Sequence, residues 1–157
     1  MREVQERRTL PTLIGVAAAV VAVDHLTKWW AQRDLADHDI HVIGSLRLHL
    51  IYNRGTAFGL GSKFAPLIAL AASIVVVALL TVRRQMHGWI PNIAVGAVAG
   101  GAVGNLLDRL LRDGSGFLGG HVIDFIDLQW WPVFNVADMA ITVGAITLAL
   151  TAAREKT

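Results

Sequence analysis

Long apolar runs alternate along the chain with short polar segments, and the runs have the length of membrane spans. A helix crossing the hydrocarbon core needs about 20 mostly apolar residues. Four stretches qualify, at about 10–31, 64–82, 88–107 and 133–153. The first is free of charge as far as Val23 and then carries Asp24 and Lys28; the second and third carry no charge; the fourth carries Asp138 alone. Trp29, Trp30, Trp89, Trp130 and Trp131 stand at span ends, where interfacial belts place tryptophan. A cleaved signal peptide is the competing reading of the first span, because residues 1–8 are basic and Ala17-Ala18-Ala19 imitates a cleavage site. Three further spans and the polar residues of the first argue that it is retained.

Between the first two spans the period changes. Over residues 40–59, Leu46, Leu48, Leu50 and Tyr52 alternate with Arg47, His49 and Asn53, the pattern of a half-buried strand. Gly44-Ser45 supplies a hairpin turn. The expectation is a small sheet at the outer membrane surface. Gly114, Gly116, Gly119 and Gly120 mark 112–120 as a flexible loop, suited to act as a lid. In the third span, Gly96, Gly100 and Gly104 form a small-residue ridge that lets a neighbouring helix approach closely. The predicted architecture is a single membrane domain over 1–157: an all-α, four-helix transmembrane bundle with a small extracytoplasmic β-sheet between helices 1 and 2.

Composition agrees with a lipid environment. Of the 157 residues 54% are apolar and 17% charged, against roughly a quarter charged in soluble domains. Basic residues are spread along the chain rather than clustered, so no nucleic-acid partner is expected. Cysteine is absent, which excludes disulfides, thiolate metal sites and a cysteine nucleophile. An even number of spans puts both termini on one side. That side carries Arg2, Arg7, Arg8, Arg83, Arg84, Arg154 and Lys156, and the other carries as many basic residues in longer segments mixed with Asp. The density of charge in the short 83–88 connection favours the side of the termini as cytoplasmic.

The polar residues within the apolar frame converge on the other side. Asp24 and Lys28 close the first span; Asn53 and Arg54 follow in the long connection; Asn105, Asp108 and Arg109 close the third span; Asp124, Asn135 and Asp138 cluster at the start of the fourth. An ionisable residue at membrane depth costs roughly 2.5–3.5 kcal/mol on insertion scales, so each needs a reason. Asp24 and Lys28 are spaced i, i+4 in the acid-first order that suits an ion pair. Asn105, Asp108 and Arg109 fall at i, i+3, i+4 and serve equally as a helix-end fixture or as a hold on a substrate backbone. Asn135, three residues before Asp138, is a candidate N-cap or a group that orients the carboxylate.

Asp124 and Asp138 are the pair suited to chemistry. Two carboxylates in a low-dielectric site do not both ionise easily; sharing a proton leaves one as base and one as acid. That is what activation of water on an amide carbonyl requires. Spacing alone leaves a proton or ion path and structural pairing as alternatives, and it leaves Asp127 as a competitor that shares the face of Asp124 if the segment is helical. No H-E-x-x-H or G-x-S-x-G pattern occurs, and the six histidines lack metal-ligand spacing; His25, His41 and His49 read as interfacial or surface residues.

Five short motifs then stand in order along most of the chain: Asp-x-x-Thr-Lys at 24–28, Asn-x-Gly-x-Ala-Phe at 53–58, Gly-Asn-x-x-Asp-Arg at 104–109, Val-x-Asp-Phe at 122–125 and Phe-Asn-x-Ala-Asp at 134–138. Together they make the chain resemble the lipoprotein signal peptidase (signal peptidase II) family. The resemblance implies an aspartic endopeptidase whose catalytic pair is Asp124 and Asp138, supported by Asn53, Asn105, Arg109 and Asn135, with Asp24, Lys28 and Asp108 in structural roles. It implies no metal and no cofactor. The implied substrate is a diacylglyceryl-modified prolipoprotein, cut just before the lipid-bearing cysteine. The implied setting is the bacterial cytoplasmic (inner) membrane, with membrane lipid as surroundings, both termini cytoplasmic, the site near the outer face, and a monomeric enzyme. The segment after Phe58 is brief, so the family's surface helix is expected to be short here. Two readings from other classes stand beside this one: a small proton-coupled transporter or channel using Asp24, Asp124 and Asp138 as a relay, and a non-enzymatic membrane assembly factor.

Overall fold

The computed structural model describes residues 2–55, 74, 76–79, 81, 88–114 and 116–154. Helix α1 runs over Arg2–Asp34, strands β1 and β2 over Ile40–Ile43 and Leu46–Asn53, helix α2 over Trp89–Leu111, strand β3 over Val122–Asp127 and helix α3 over Val136–Arg154. Three helical stretches among the described residues, Leu10–Asp34, Trp89–Leu111 and Val136–Arg154, are long and apolar enough to cross a membrane. The expected second span at 64–82 lies largely outside the described residues; within it 76–79 are helical, and Val76 and Leu79 pack against the core.

The bundle buries its smallest residues and turns its larger apolar ones outward. α2 is the central helix, burying Ala94, Val95, Val98 and Ala99 together with its glycines. α1 and α3 expose Ile14, Val23, Leu26, Val143, Ile146 and Leu150. In water each such side chain would forgo roughly 1.5–3 kcal/mol of burial; against lipid tails that penalty vanishes. The glycine ridge of α2 works as its spacing predicts. A Cβ on Gly96 would fall 2.8 Å from the Leu13 carbonyl oxygen, and one on Gly100 2.6 Å from that of Ala17. These contacts step in the same direction along both helices, so α1 and α2 run parallel. Gly144 of α3 meets Ala94 and Val98 while Gly101 of α2 meets Ala137, so α3 runs antiparallel to α2.

The β1–β2 hairpin turns at Gly44, whose φ of 55° suits a residue without Cβ. The sheet, however, is not confined to the connection between the first two spans. Its order is β1-β2-β3, antiparallel throughout, and β3 comes from the segment before α3. β3 is buried along nearly its whole length, so Val122–Asp127 lacks the apolar–polar alternation that reveals a half-exposed strand. The sheet packs on the end of α1 through Ala31, Leu35, Ile123 and Phe125, with Trp30 edge-on to Phe125 at 6.4 Å. The fourth predicted span begins three residues late, at Val136, because Phe134 is still bridged to Ile126 in β fashion. Segment 112–120 folds back on α2: Gly114 bridges Gly120, whose N–H donates to the Arg109 carbonyl.

Candidate active site

The polar residues meet where the ends of α1 and α2, the start of α3 and the inner edge of the sheet come together. β3 carries Asp124 inward, 2% exposed. Its two carboxylate oxygens accept from two neutral amides, Oδ2 from Asn53 Nδ2 at 2.8 Å and Oδ1 from Asn135 Nδ2 at 2.7 Å. Asn53 reaches it from the paired strand β2, and its own Oδ1 is fixed by the Gly55 N–H at 2.9 Å. Burial disfavours the charged form of Asp124 and the nearby Asp138 adds repulsion, together outweighing the amide hydrogen bonds; the carboxyl is raised to about 7.

Asn135 does two jobs, both anticipated as alternatives. It is the N-cap of α3: its Oδ1 accepts the Asp138 N–H at 3.0 Å, while Asp138 Oδ2 accepts the Asn135 N–H at 3.2 Å. This reciprocal capping box satisfies two otherwise orphaned donors. It also fixes Asp138 in the first turn of α3, where the helix dipole favours a carboxylate. The amide of Asn135 is left free to hold Asp124, so one residue ties the two carboxylates together. Asp138 Oδ1 accepts from Asn105 Nδ2 of α2 at 2.8 Å, and Asp138 is only partly buried.

Beneath this pair lies a second cluster. Lys28 Nζ is 2.7 Å from Asp24 Oδ2 and 2.7 Å from Asp108 Oδ2, and donates to Asn105 Oδ1 at 2.9 Å. Lys28 and Asp24 are fully buried and Asp108 is 1% exposed. Asp24 Oδ1 accepts the Ala137 N–H at 2.9 Å and so caps another free donor of α3. Gly104 makes this possible, since a Cβ there would lie 2.7 Å from Asp24 Oδ2.

The nine residues to which the resemblance gives a role are all brought to this end of the bundle. Besides Lys28, Asp108 pairs with Arg112, whose Nε lies 2.6 Å from Asp108 Oδ1 and whose Nη1 donates to Gln32 Oε1 at 2.9 Å. Arg112 and Gln32 escaped the sequence reading, although Asp108 and Arg112 have the same acid-first i, i+4 spacing that flagged Asp24 and Lys28. Arg109 instead donates to the Gly120 carbonyl at 3.2 Å and holds the glycine-rich segment, within reach of the charges of Asp124, Asp108 and Asp138.

Strand geometry separates Asp124 from Asp127. Positions three apart on a strand point to opposite faces, whereas on a helix they share one. Asp127 turns away, 2.6 Å from Arg47 Nε and accepting the Gln129 N–H at 2.7 Å. Burial raises its pKa, but the Gln129 and Arg47 hydrogen bonds and the Arg47 charge win, leaving it below the ordinary carboxylate value. Among the described residues no group of three or more His, Asp or Glu is arranged to hold a metal ion.

Known proteins are similar to this chain in sequence and in fold. The chain is 38% identical over 146 residues to a lipoprotein signal peptidase of Mycolicibacterium smegmatis, covering 92% of this chain and 62% of that protein. It is 39% identical over 145 residues to the lipoprotein signal peptidase of Mycobacterium avium, covering 91% and 79%. It is likewise 39% identical over 147 residues to that of Rhodococcus jostii, covering 92% and 73%. Two solved structures of bacterial membrane enzymes share the fold. One has a TM-score of 0.76 at 27% identity, covering 94% of this chain and 90% of its own; the other has 0.71 at 28%, covering 89% and 91%. The model of the signal peptidase (SPase) II family matches residues 16–154, and the chain belongs to that family.

Proposed function

We propose that this chain is a membrane endopeptidase that removes the signal peptide from diacylglyceryl-modified prolipoproteins, cutting just before the lipidated cysteine. Asp124 and Asp138 activate the water. The observation that carries this reading is the pair itself: two carboxylates tied together by Asn135, one raised to about 7 and the other partly open, at the end of an apolar bundle. With one proton between them, the ionised carboxylate takes a proton from water as its oxygen attacks the scissile carbonyl. The protonated carboxyl donates to the carbonyl oxygen, and a proton passed to the nitrogen lets the C–N bond break.

The substrate chemistry suits the location. A signal peptide is a membrane helix, and its lipid group holds the cleavage point near the bilayer surface, at the depth of an active site on span ends. The parallel course of α1 and α2 and the antiparallel course of α3 put both ends of the described chain on one side of the bundle, in keeping with four spans in one domain, and the basic 83–88 connection favours that side as cytoplasmic. The polar residues crowd one end, while Leu13, Ala94, Val95, Val98 and Leu148 fill the other with apolar contacts, an arrangement poorly suited to a proton path through the membrane.

Cleavage of a lipidated prolipoprotein by the purified protein, compared with Asp124→Asn and Asp138→Asn, tests the proposal. Both variants should fold, bind substrate and fail to cut. Cleavage surviving in either removes that residue from the mechanism, and a folded but inert wild type removes the peptidase reading.

A further inference from the structure

Asn105 Oδ1 accepts from Lys28 Nζ at 2.9 Å and from Asn135 Nδ2 at 3.1 Å, while its Nδ2 donates to Asp138 Oδ1 at 2.8 Å. An amide has two orientations of similar shape, and its neighbours choose between them. Turned over, Asn105 would aim its NH2 at the Lys28 ammonium and at the Asn135 NH2, donor against donor. Its oxygen would face the Asp138 carboxylate, acceptor against acceptor. Lys28 is the charged member of this choice, and hydrogen bonds to ionised groups are the stronger ones. The ammonium is itself held in place, fully buried between Asp24 on its own helix and Asp108 on α2.

We infer that Lys28 is a positioning residue for hydrolysis: its ammonium sets the orientation of the Asn105 amide, so that Asp138 always meets a donor and never an oxygen. This inference rests on the peptidase reading above and deepens it, since it gives the buried cation a task beyond holding helices together. Asp24 and Asp108 then serve the reaction at one further remove, by anchoring the cation. Arg112 serves by balancing the second charge of Asp108.

Removing Lys28 alone would leave buried carboxylates uncompensated, so the test uses a balanced exchange. Asp24→Asn with Lys28→Met removes one charge of each sign, keeps an acceptor for the Ala137 N–H, and leaves Asp108 paired with Arg112. Asp24→Asn with Lys28→Gln is the companion, because glutamine restores a neutral donor toward Asn105 Oδ1. Turnover of a lipidated prolipoprotein is measured for both, beside wild type and Asp124→Asn, with thermal unfolding in detergent to confirm the fold. The methionine variant should lose about 10- to 100-fold in kcat, the scale seen when a hydrogen-bond partner that orients a metal-ligating side chain is removed. KM should be unchanged, and the glutamine variant should recover part of the loss. A neutron crystal structure of the methionine variant, which locates the amide hydrogens, should show Asn105 Nδ2 no longer on Asp138 Oδ1. A folded methionine variant with wild-type kcat, or with Asn105 still donating to Asp138, overturns the inference. An inert wild type overturns the peptidase reading instead, and the crystal structure then still decides the orientation of Asn105.

Discussion

Two groups of carboxylates lie side by side in this bundle and are treated in opposite ways. Asp24 and Asp108 are matched with cations, Lys28 at 2.7 Å from each and Arg112 at 2.6 Å from Asp108. Asp124 and Asp138 take their hydrogen bonds from the neutral groups of Asn53, Asn105 and Asn135. A cation neutralises a carboxylate and fixes its charge; an amide fixes its position and leaves its proton free to come and go. The first pairing builds a rigid polar floor within an apolar fold. The second builds what the proposed function requires, a site that exchanges protons with water.

The contrast breaks most visibly at Lys28. Lys28→Ala alone leaves buried Asp24 without its cation and Asp108 with Arg112 alone, and breaking a buried pair in this way costs about 3–5 kcal/mol. Thermal unfolding in detergent should show a severely destabilised protein, where Asp124→Asn should show a stable one. Cleavage should respond in the reverse sense. Asp124→Asn should lower kcat by at least about 10²-fold, the lower bound for losing a general acid or base, without loss of fold.

The pH dependence sharpens the comparison. Asp124 is raised to about 7 from 3.8, so the folded state keeps a proton that the unfolded state releases. Stability should therefore fall as pH rises from about 4 to 7, by up to roughly 1.4 kcal/mol per pH unit, and level off above. Asp124→Asn should flatten this slope, as read from unfolding at a series of pH values. The rate should fall in step as pH passes about 7, because the pair then loses the proton needed to donate to the carbonyl oxygen. The pair titrates as a unit, so the apparent value belongs to both carboxyls.

Smaller effects follow at the edges of the two clusters. Gly104→Ala should cost about 1–3 kcal/mol, the usual penalty of overpacking, because its Cβ meets Asp24 Oδ2 at 2.7 Å. Asp127→Asn should matter least. Its side chain is only 5% exposed, but its partner Arg47 is 30% exposed and asparagine keeps an acceptor for the Gln129 N–H, so the cost should be about 1 kcal/mol. Cleavage by Asp127→Asn should equal that of wild type, which separates it from Asp124 in a single assay.

Much of this was legible in the chain alone, for a physical reason. Lipid imposes length and apolarity on any helix that crosses it, so α1, α2 and α3 are written as uninterrupted apolar runs, and each ionisable residue within them stands out. Spacing along one helix is equally local, and it announced the Asp24–Lys28 pair and the ridge of Gly96, Gly100 and Gly104. The i, i+4 relation of Asp108 and Arg112 was there to be read as well, but Arg109, next to Asp108, drew attention away. Tertiary structure alone decided the rest. Whether Asp124 or Asp127 faces the site depends on whether 122–127 is strand or helix, and a strand buried on both faces shows no period by which to tell. That Asn135 caps α3 at Asp138 while holding Asp124, and that Lys28 reaches Asn105, depend on elements distant in sequence meeting at one depth. Local pattern determined which residues would be costly to bury; the packing of α1, α2, α3 and the sheet determined which of them would be neutralised and which left able to exchange a proton.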